Sequence, residues 1–414
     1  MSQLLIQIPL DLPNVTVERY EQTAKGLVIS VTSRVKTAEC RQCGRTIERF
    51  HGYDKTITLR HLPIFDRPVW IQIKPKRFQC PYCEQGPTTT QRCEWYDPKS
   101  QQTKAYENWV LRELINSTLS DVSLKRNLSV ELIEGIIDRS VAQQVQWSSV
   151  PALDILGIDE IALKKGHQDF VVIISGLTVS REKFIVAVLP DRKKETVKAF
   201  LQTLPPEQQA SLRQVCIDMN EGYCNAVQET LPAAEIVVDR FHVAKHYSEC
   251  ADKARKREMK QLKAELSASD YAQLKGAMWA FRKPWHQLSD HQQATLLRLF
   301  QYAPVLREVY VQRELLTGLF ERRSSKAQAN ADLQQWITRI QRLGLDYFDA
   351  FVVTLSRWQD KITNYFIRRQ SSGFVEGLNN KIKVIKRRCY GIYDLGRLFQ
   401  HIWLDVQGRR VLFA

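Results

Sequence analysis

The chain has 414 residues, and its 60 Lys and Arg against 45 Asp and Glu leave a formal net charge of +15. That length exceeds one ordinary core and predicts two to four domains, while 44% hydrophobic residues exclude global disorder. The positive excess favours a polyanionic partner, and no apolar run approaches the ~20 residues of a membrane span.

Residues 1–100 carry short alternating runs, LVISVTS and VWIQIKP, that read as strands of a small β module. Two C-x-x-C pairs lie within it, Cys40 with Cys43 and Cys80 with Cys83, each beside a turn signal (Gly44 and Pro81). A thiolate pair two residues apart grips one metal ion from a tight turn, and two pairs complete a tetrahedral Zn²⁺ site. One structural zinc is therefore expected, closed on all four sides and so not catalytic. Cys93, His51 and His61 are the substitute ligands to weigh against these four. Cys216, Cys224, Cys250 and Cys389 stand singly and read as reduced core residues.

Residues 104–147 switch to helical periodicity. Within SDVSLKRNLSVELIEGIIDRSV, a helix over 122–127, a turn at Leu128–Ser129 and a second helix from Val130 fit a helix-turn-helix, with Ser129 as cap and Leu132, Ile133, Ile136 and Ile137 inward. An ordinary helical hairpin satisfies the same spacing. From 153 to 242 apolar strand-like runs (LDILGIDE, DFVVIISGL, KFIVAVL, QVCID, AEIVVD) alternate with helical segments, an α/β pattern. Asp159 and Asp218 each end such a run, where a sheet edge can present a carboxylate. Asp154, Glu160, Asp169, Glu221 and Asp239 compete with them, and composition alone does not choose.

Residues 243–370 read as charged, amphipathic helix. Trp279 and Trp285, flanking Arg282 and Lys283, suit either a stacked base or core packing. From 371 to 414 the chain turns Gly-punctuated and basic. Glu376 sits where a helix should start, and Lys381, Lys383, Lys386, Arg387 and Arg388 follow it as candidate phosphate contacts, with Lys164 and Lys165 as weaker ones. Asn379 and Asn380 could touch DNA or only cap local structure. Two strand-end aspartates and a helical glutamate can bracket two Mg²⁺ ions ~3.5–4 Å apart, since Mg²⁺ needs few protein oxygens.

GIDEIALKKGH, CIDMNEGY, VVDRFHV and GFVEGLNNKIKVIKRRCYGI together resemble the ISL3 family of bacterial insertion-sequence transposases, and ECRQCG…HLPI…KRFQCPYC resembles that family's N-terminal zinc module. The resemblance covers nearly the whole chain. It implies a multi-domain α/β protein: the Zn-binding β module, the helix-turn-helix, then a ribonuclease-H-like catalytic domain with a helical insertion and a basic C-terminal end. It also implies that Asp159 of GIDE, Asp218 of IDMN and Glu376 of VEGLNNKIK form an Asp-Asp-Glu triad using two Mg²⁺ or Mn²⁺ ions. Asp239 and His242 resemble a D-x-x-H element that follows the second aspartate in several transposase superfamilies; His242 would contact DNA, steady the site, or be structural. Ser371 and Ser372 stand where such proteins often carry Thr-Asn.

The expected reaction is hydrolysis at the ends of an insertion sequence, then attack of the freed 3′-hydroxyl on target DNA. The N-terminal modules would bind terminal inverted repeats, and pairing two ends implies a homodimer or larger complex. The expected location is the bacterial cytoplasm, with the nucleoid, since the first thirty residues lack a leader pattern. The rival classes are a DNA-binding regulator with an inactive catalytic fold and a metal-dependent nuclease without strand transfer.

Overall fold

A computed structural model describes residues 8–98, 100–164, 168–369, 373–389, 391–392 and 394–413. Lys165, Ser371, Ser372 and the side chain of Lys164 lie outside the described residues. Two compact units emerge, one of Met1–Val141 with Gln407–Ala414, the other of Ala142–Val406. Among the described residues no helix is long and apolar enough to cross a membrane.

In the first unit, β1 (Val15–Thr23), β2 (Gly26–Ser33), β6 (Ile57–Ile64) and β7 (Arg67–Ile73) form a sheet in the order β1-β2-β7-β6. Period-2 alternation buries Ile29, Val31, Leu59, Val69, Ile71 and Ile73 on one side against Trp95 and Tyr96. A hairpin of β3 (Ala38–Glu39) and β4 (Thr46–Ile47) and a sheet β5-β8-β9 (Phe50–Tyr53, Lys76–Gln79, Thr88–Thr90) make a second, smaller body. Its core is only Cys40, Ile47, Phe78 and Cys80, flanked by Ala38 and Cys83.

Three helices follow: α1 (Lys104–Leu114), α2 (Leu119–Arg126) and α3 (Val130–Ser140). The hydroxyl of Thr118 caps α2 and that of Ser129 caps α3, accepting from the Leu132 amide at 3.2 Å. Asn127, in the left-handed region at φ 49°, turns the chain between them. Ile133, Ile136 and Ile137 are buried as the periodicity requires, and Leu132 is half-buried. The C-terminal turn returns to this unit, where Arg112 Nε donates to the Leu412 carbonyl at 2.5 Å.

The second unit is a five-stranded sheet in the order β12-β11-β10-β13-β14, with β10 (Leu153–Lys164), β11 (Gln168–Thr178), β12 (Lys183–Leu189), β13 (Gln214–Ile217) and β14 (Glu235–Val238). β10–β11 and β11–β12 are antiparallel, β10–β13 and β13–β14 parallel. Between strands run α4 (Lys194–Leu201), α5 (Pro206–Ser211) and α6 (Glu221–Thr230). After β14 comes a helical block: α7 (Arg240–Glu265), α8 (Ala268–Ala272), α9 (Ala277–Arg282), α10 (Asp290–Tyr302), α11 (Pro304–Glu321), α12 (Lys326–Leu343), α13 (Asp349–Thr363) and α14 (Tyr365–Arg368). Then α15 (Gly373–Arg388) and α16 (Leu395–Trp403) return to the sheet. The pleat sorts the faces: Ile161, Leu163, Val171, Ile173 and Ile185 pack with Leu378, Ile382, Ile385 and Leu398, while Ile158, Val172, Ile174, Phe184 and Val186 join the core shared with the helical block.

Candidate active site and zinc site

Three parallel strands bring three aspartates into line: Asp218 and Asp239 directly follow β13 and β14, whereas Asp159 lies inside β10, which runs on to Lys164 in its hairpin with β11 and so does not end at Asp159 as its sequence suggested. β10 and β13 pair Gly157 with Cys216, and β13 and β14 pair Ile217 with Val238. Continuing that register sets Asp159 beside Asp218, and Asp218 beside Asp239, on strands spaced about 4.8 Å apart. Open α/β sheets form binding crevices outside the carboxyl ends of their strands where the strand order reverses, as it does here between β10 and β13.

The pleat also separates Asp159 from its neighbour Glu160. Asp159 points to the α15 side, where Asn379 Nδ2 donates to its Oδ2 and the Glu160 amide donates to its Oδ1 at 2.7 Å. Glu160 is turned to the opposite face, accepting from the Tyr223 hydroxyl at 2.6 Å and lying 3.6 Å from Arg192. Other competing acids are likewise engaged: Asp154 with Arg213 and Arg368, Glu221 with Arg357, and Asp239 as the cap of α7, accepting from the Phe241 amide at 2.7 Å. Oδ1 is buried without a hydrogen bond in both Asp218 and Asp154, but that of Asp154 lies 3.7 Å from Arg213 and 3.6 Å from Arg368.

Burial raises the Asp218 carboxyl to about 6, and Glu160, Asp159 and Asp239 push it the same way, against a favourable influence of His242. Asp159 is raised as well, chiefly by burial, with the Glu160 amide, His242 and Lys383 opposing. Asp159, Asp218, Asp239 and His242 therefore share one electrostatic neighbourhood, as the register requires.

Helix α15 runs along β10 in matched steps. Phe374 and Val375 lie over Gly157, Asn379 meets Asp159, and Lys386 Nζ donates to the Ala162 carbonyl at 2.5 Å. Gly157 is obligatory for this approach, because a Cβ there would fall 2.3 Å from Val375 Cγ2. Glu376, Asn379 and Lys383, at i, i+3 and i+7, share one helix face. Glu376 thus sits one turn before Asn379 on α15, but among the described residues its carboxylate does not close up with Asp159 and Asp218 into a group tight enough to share a metal ion. Asn379 is buried and holds Asp159, so it is not a surface DNA contact.

Of the five cations on α15, Lys381 bonds the Asp405 carbonyl, Lys386 that of Ala162, and Arg388 the buried Asp405 carboxylate at 2.9 Å, while Arg387 Nε reaches only the Lys383 carbonyl of its own helix at 3.3 Å. Lys383 and Arg387 are exposed. Ile382 and Ile385 face the core, so their helical neighbours bend back over the sheet. Trp279 is 61% exposed and is not a core residue.

A cleft of about 450 Å³ opens beside Asp218, lined by His242, Lys245, His246, Arg357 and Trp358. A larger one, about 750 Å³, lies among α10, α11 and α12 and includes none of the aligned acids.

Proton uptake by Asp218 gives a stability signature. Its folded-state value lies above the ordinary 3.8, so the folded chain loses stability as pH rises from about 4 through about 6. The loss is on the order of 2–3 kcal/mol. In zinc-loaded protein without Mg²⁺ or Mn²⁺, Asp218→Asn is expected to raise Tm at pH 8 and to gain less at pH 5. Differential scanning calorimetry checks this, and an equal change at both pH values would refute it.

In the first unit the sulfurs of Cys40, Cys43, Cys80 and Cys83 all lie within 4.8 Å of one another. The separations are 3.9 Å for Cys40–Cys83, 3.8 Å for Cys43–Cys80 and 3.6 Å for Cys80–Cys83. Four thiolates 2.3 Å from a tetrahedral Zn²⁺ sit about 3.8 Å apart, so the cluster fits zinc. Backbone amides of Cys43 and Gln42 lower Cys40 to about 6, favouring the thiolate a metal requires. Gly44 (φ 70°) and Gly86 (φ 52°) supply the left-handed turns that close the two knuckles. His51, His61 and Cys93 are not in this group; His61 is bound to the Thr103 hydroxyl at 2.8 Å.

Known proteins are similar to the regions that contain these residues. A transposase family model matches residues 156–402, and a model described as the zinc-finger of transposase IS204/IS1001/IS1096/IS1165 matches residues 36–83. The chain is 29% identical over 392 residues to the transposase for insertion sequence element IS1001 of Bordetella parapertussis, covering 93% of each. It is 23% identical over 413 residues to the transposase for IS1557 of Mycobacterium tuberculosis, covering 94% of this chain and 91% of that one. A Drosophila P element transposase strand transfer complex aligns at a TM-score of 0.38 and 11% identity, over 67% of this chain and 81% of that chain. With a family model matching residues 156–402, more than half of the chain, and a second spanning the four-cysteine cluster, the chain belongs to the ISL3 family of insertion-sequence transposases.

Proposed function

We propose that Asp159, Asp218 and Glu376 hold two Mg²⁺ or Mn²⁺ ions, and that the chain cuts the ends of its insertion sequence and joins them to target DNA. The observation that carries this reading is the buried, unpartnered Oδ1 of Asp218, in register with Asp159. A buried carboxylate oxygen without a partner is costly unless a proton or a cation satisfies it. When bound, two such ions supply activation of the attacking oxygen and stabilisation of the leaving oxygen.

The chain's own side chains supply the rest. Asn379 fixes the rotamer of Asp159, and Asp239 caps α7 so that His242 stays beside the two aspartates. Lys383 and Arg387 offer exposed charge to phosphates. No side chain bonds covalently to DNA: water is the first nucleophile and the freed 3′-hydroxyl the second.

The mixed sheet order, antiparallel on one side of β10 and parallel on the other, supports reading this unit as a ribonuclease-H-like fold with α7–α14 inserted. The capped pair α2–α3 around Asn127 supports a helix-turn-helix. The outer side of α3 bears Glu131 and Asp138, so phosphate contact falls to the exposed Lys125 of α2. One structural Zn²⁺ would hold the four-cysteine module, and these N-terminal parts would bind terminal inverted repeats as a homodimer or larger assembly, in the cytoplasm on the nucleoid.

A nuclease uses the same carboxylates, so the deciding test is strand transfer. A pre-cut end with a free 3′-hydroxyl, supplied with target duplex and Mg²⁺, is expected to give joined products. Nicks without joining would replace this reading with the nuclease.

A further inference from the structure

Helix α7 begins at the cleft beside Asp218 and carries a row of lysines away from it. Its inner residues Val243, Tyr247, Cys250, Ala251, Ala254 and Leu262 are buried. Lys245, Lys253, Lys256, Lys260 and Lys263 are all exposed. At 100° per residue these five fall within a sector of about 80°, opposite the buried face. His242 lies in the same sector, so the row points back to the acids.

Two clefts join end to end along it. The first contains Asp218, His242, Lys245 and Glu249; the second, about 590 Å³, contains Lys245, Glu249, Lys253, Lys256 and Arg282. The acids on this face are already neutralised: Asp252 pairs with Arg255, Lys256 and Arg282, and Glu249 lies 4.0 Å from Lys245. Exposed Trp279 lies beneath Arg282, whose guanidinium is 5.8 Å from its ring centroid.

We propose that this row is a rail for duplex DNA, gripping the backbone of the donor segment that leads into the aligned carboxylates. It rests on the catalytic reading above for what lies at its head. From Lys245 to Lys263 the helix rises about 27 Å, the length of roughly eight base steps at 3.4 Å each. Lysines on a straight helix meet phosphates as point charges, so the rail grips without reading sequence.

The test is the salt dependence of binding to duplexes of unrelated sequence, comparing the wild type with Lys253→Gln/Lys260→Gln/Lys263→Gln. These side chains are exposed and lie outside the proposed catalytic set, so the fold is kept. Each lost phosphate contact lowers the slope of log K against log salt by about 0.9. A decrease of roughly 2–3, with binding roughly 10–100-fold weaker at 100 mM salt, is expected on every sequence, and Lys→Arg replacements should restore it. A slope equal to the wild type's overturns the rail, as does a loss confined to one sequence. The two readings fail separately: a triad variant that still cuts DNA removes the catalytic reading without touching this slope, whereas an unchanged slope removes the rail even if the triad variants are inert.

Discussion

Asp159→Asn, Asp218→Asn and Glu376→Gln are each expected to lower strand cleavage by roughly 10³-fold or more, with binding to end-bearing duplexes within about threefold of wild type. The replacements keep shape and remove one negative charge. Carboxylate charge is what a divalent ion needs, and the charge that develops on the phosphodiester oxygens then goes uncompensated by several kcal/mol. The three positions play different parts. Asp159 is held by Asn379 and the Glu160 amide, so its Asn variant should fold like the wild type. Asp218 is half-buried and its buried Oδ1 lacks a hydrogen bond, so its variant should also abolish the stabilisation that added Mg²⁺ gives the wild type in a thermal shift. Glu376 stands on the helix whose register over β10 is set by Gly157. Cleavage on a labelled duplex and filter binding, run together, give both readouts. Wild-type cleavage by any one variant strikes that residue from the triad.

Cys80→Ser is expected to remove zinc from the N-terminal module and to unfold it. The four sulfurs sit at the edge lengths of a Zn²⁺ tetrahedron, and Cys80 is 1% exposed at the centre of them. The module's own core holds only Cys40, Ile47, Phe78 and Cys80 as buried residues, far too little to order its short strands unaided. Zinc binding contributes on the order of 10 kcal/mol in comparable small sites, so losing one ligand removes most of what keeps the knuckles together. Metal analysis should fall by one zinc per chain, and a low-temperature melting step should appear. The second unit, with its own large core, should keep its transition. Binding to terminal repeats should weaken more than binding to unrelated duplex. Full zinc content and an unchanged melt in the variant would remove Cys80 from the site.

What was legible in the chain, and what was not, divides along the distance between interacting residues. The knuckles, the Ser129 cap, the isoleucine stripe of α3 and the place of Asp218 just past β13 are spacings within single elements. Short-range geometry fixes those, so 3.6- and 2-residue periods expose them directly. Asp159 and Glu160 are adjacent, yet only the assembled sheet turns one toward α15 and the other toward Tyr223, because the pleat gains a direction when both faces are covered. The Asn379–Asp159 contact spans 220 residues, and no local pattern encodes it. Lys381, Lys386 and Arg388 read as surface charge until the helix settles on β10 and their ends find carbonyls and Asp405. Residue type and spacing were enough to mark the four clustered thiols and the positive charge that suits DNA, and to shortlist the acids. Which acid faces which, which cations remain exposed and where the lysine row of α7 leads follow from strand register and helix docking, long-range choices made by packing.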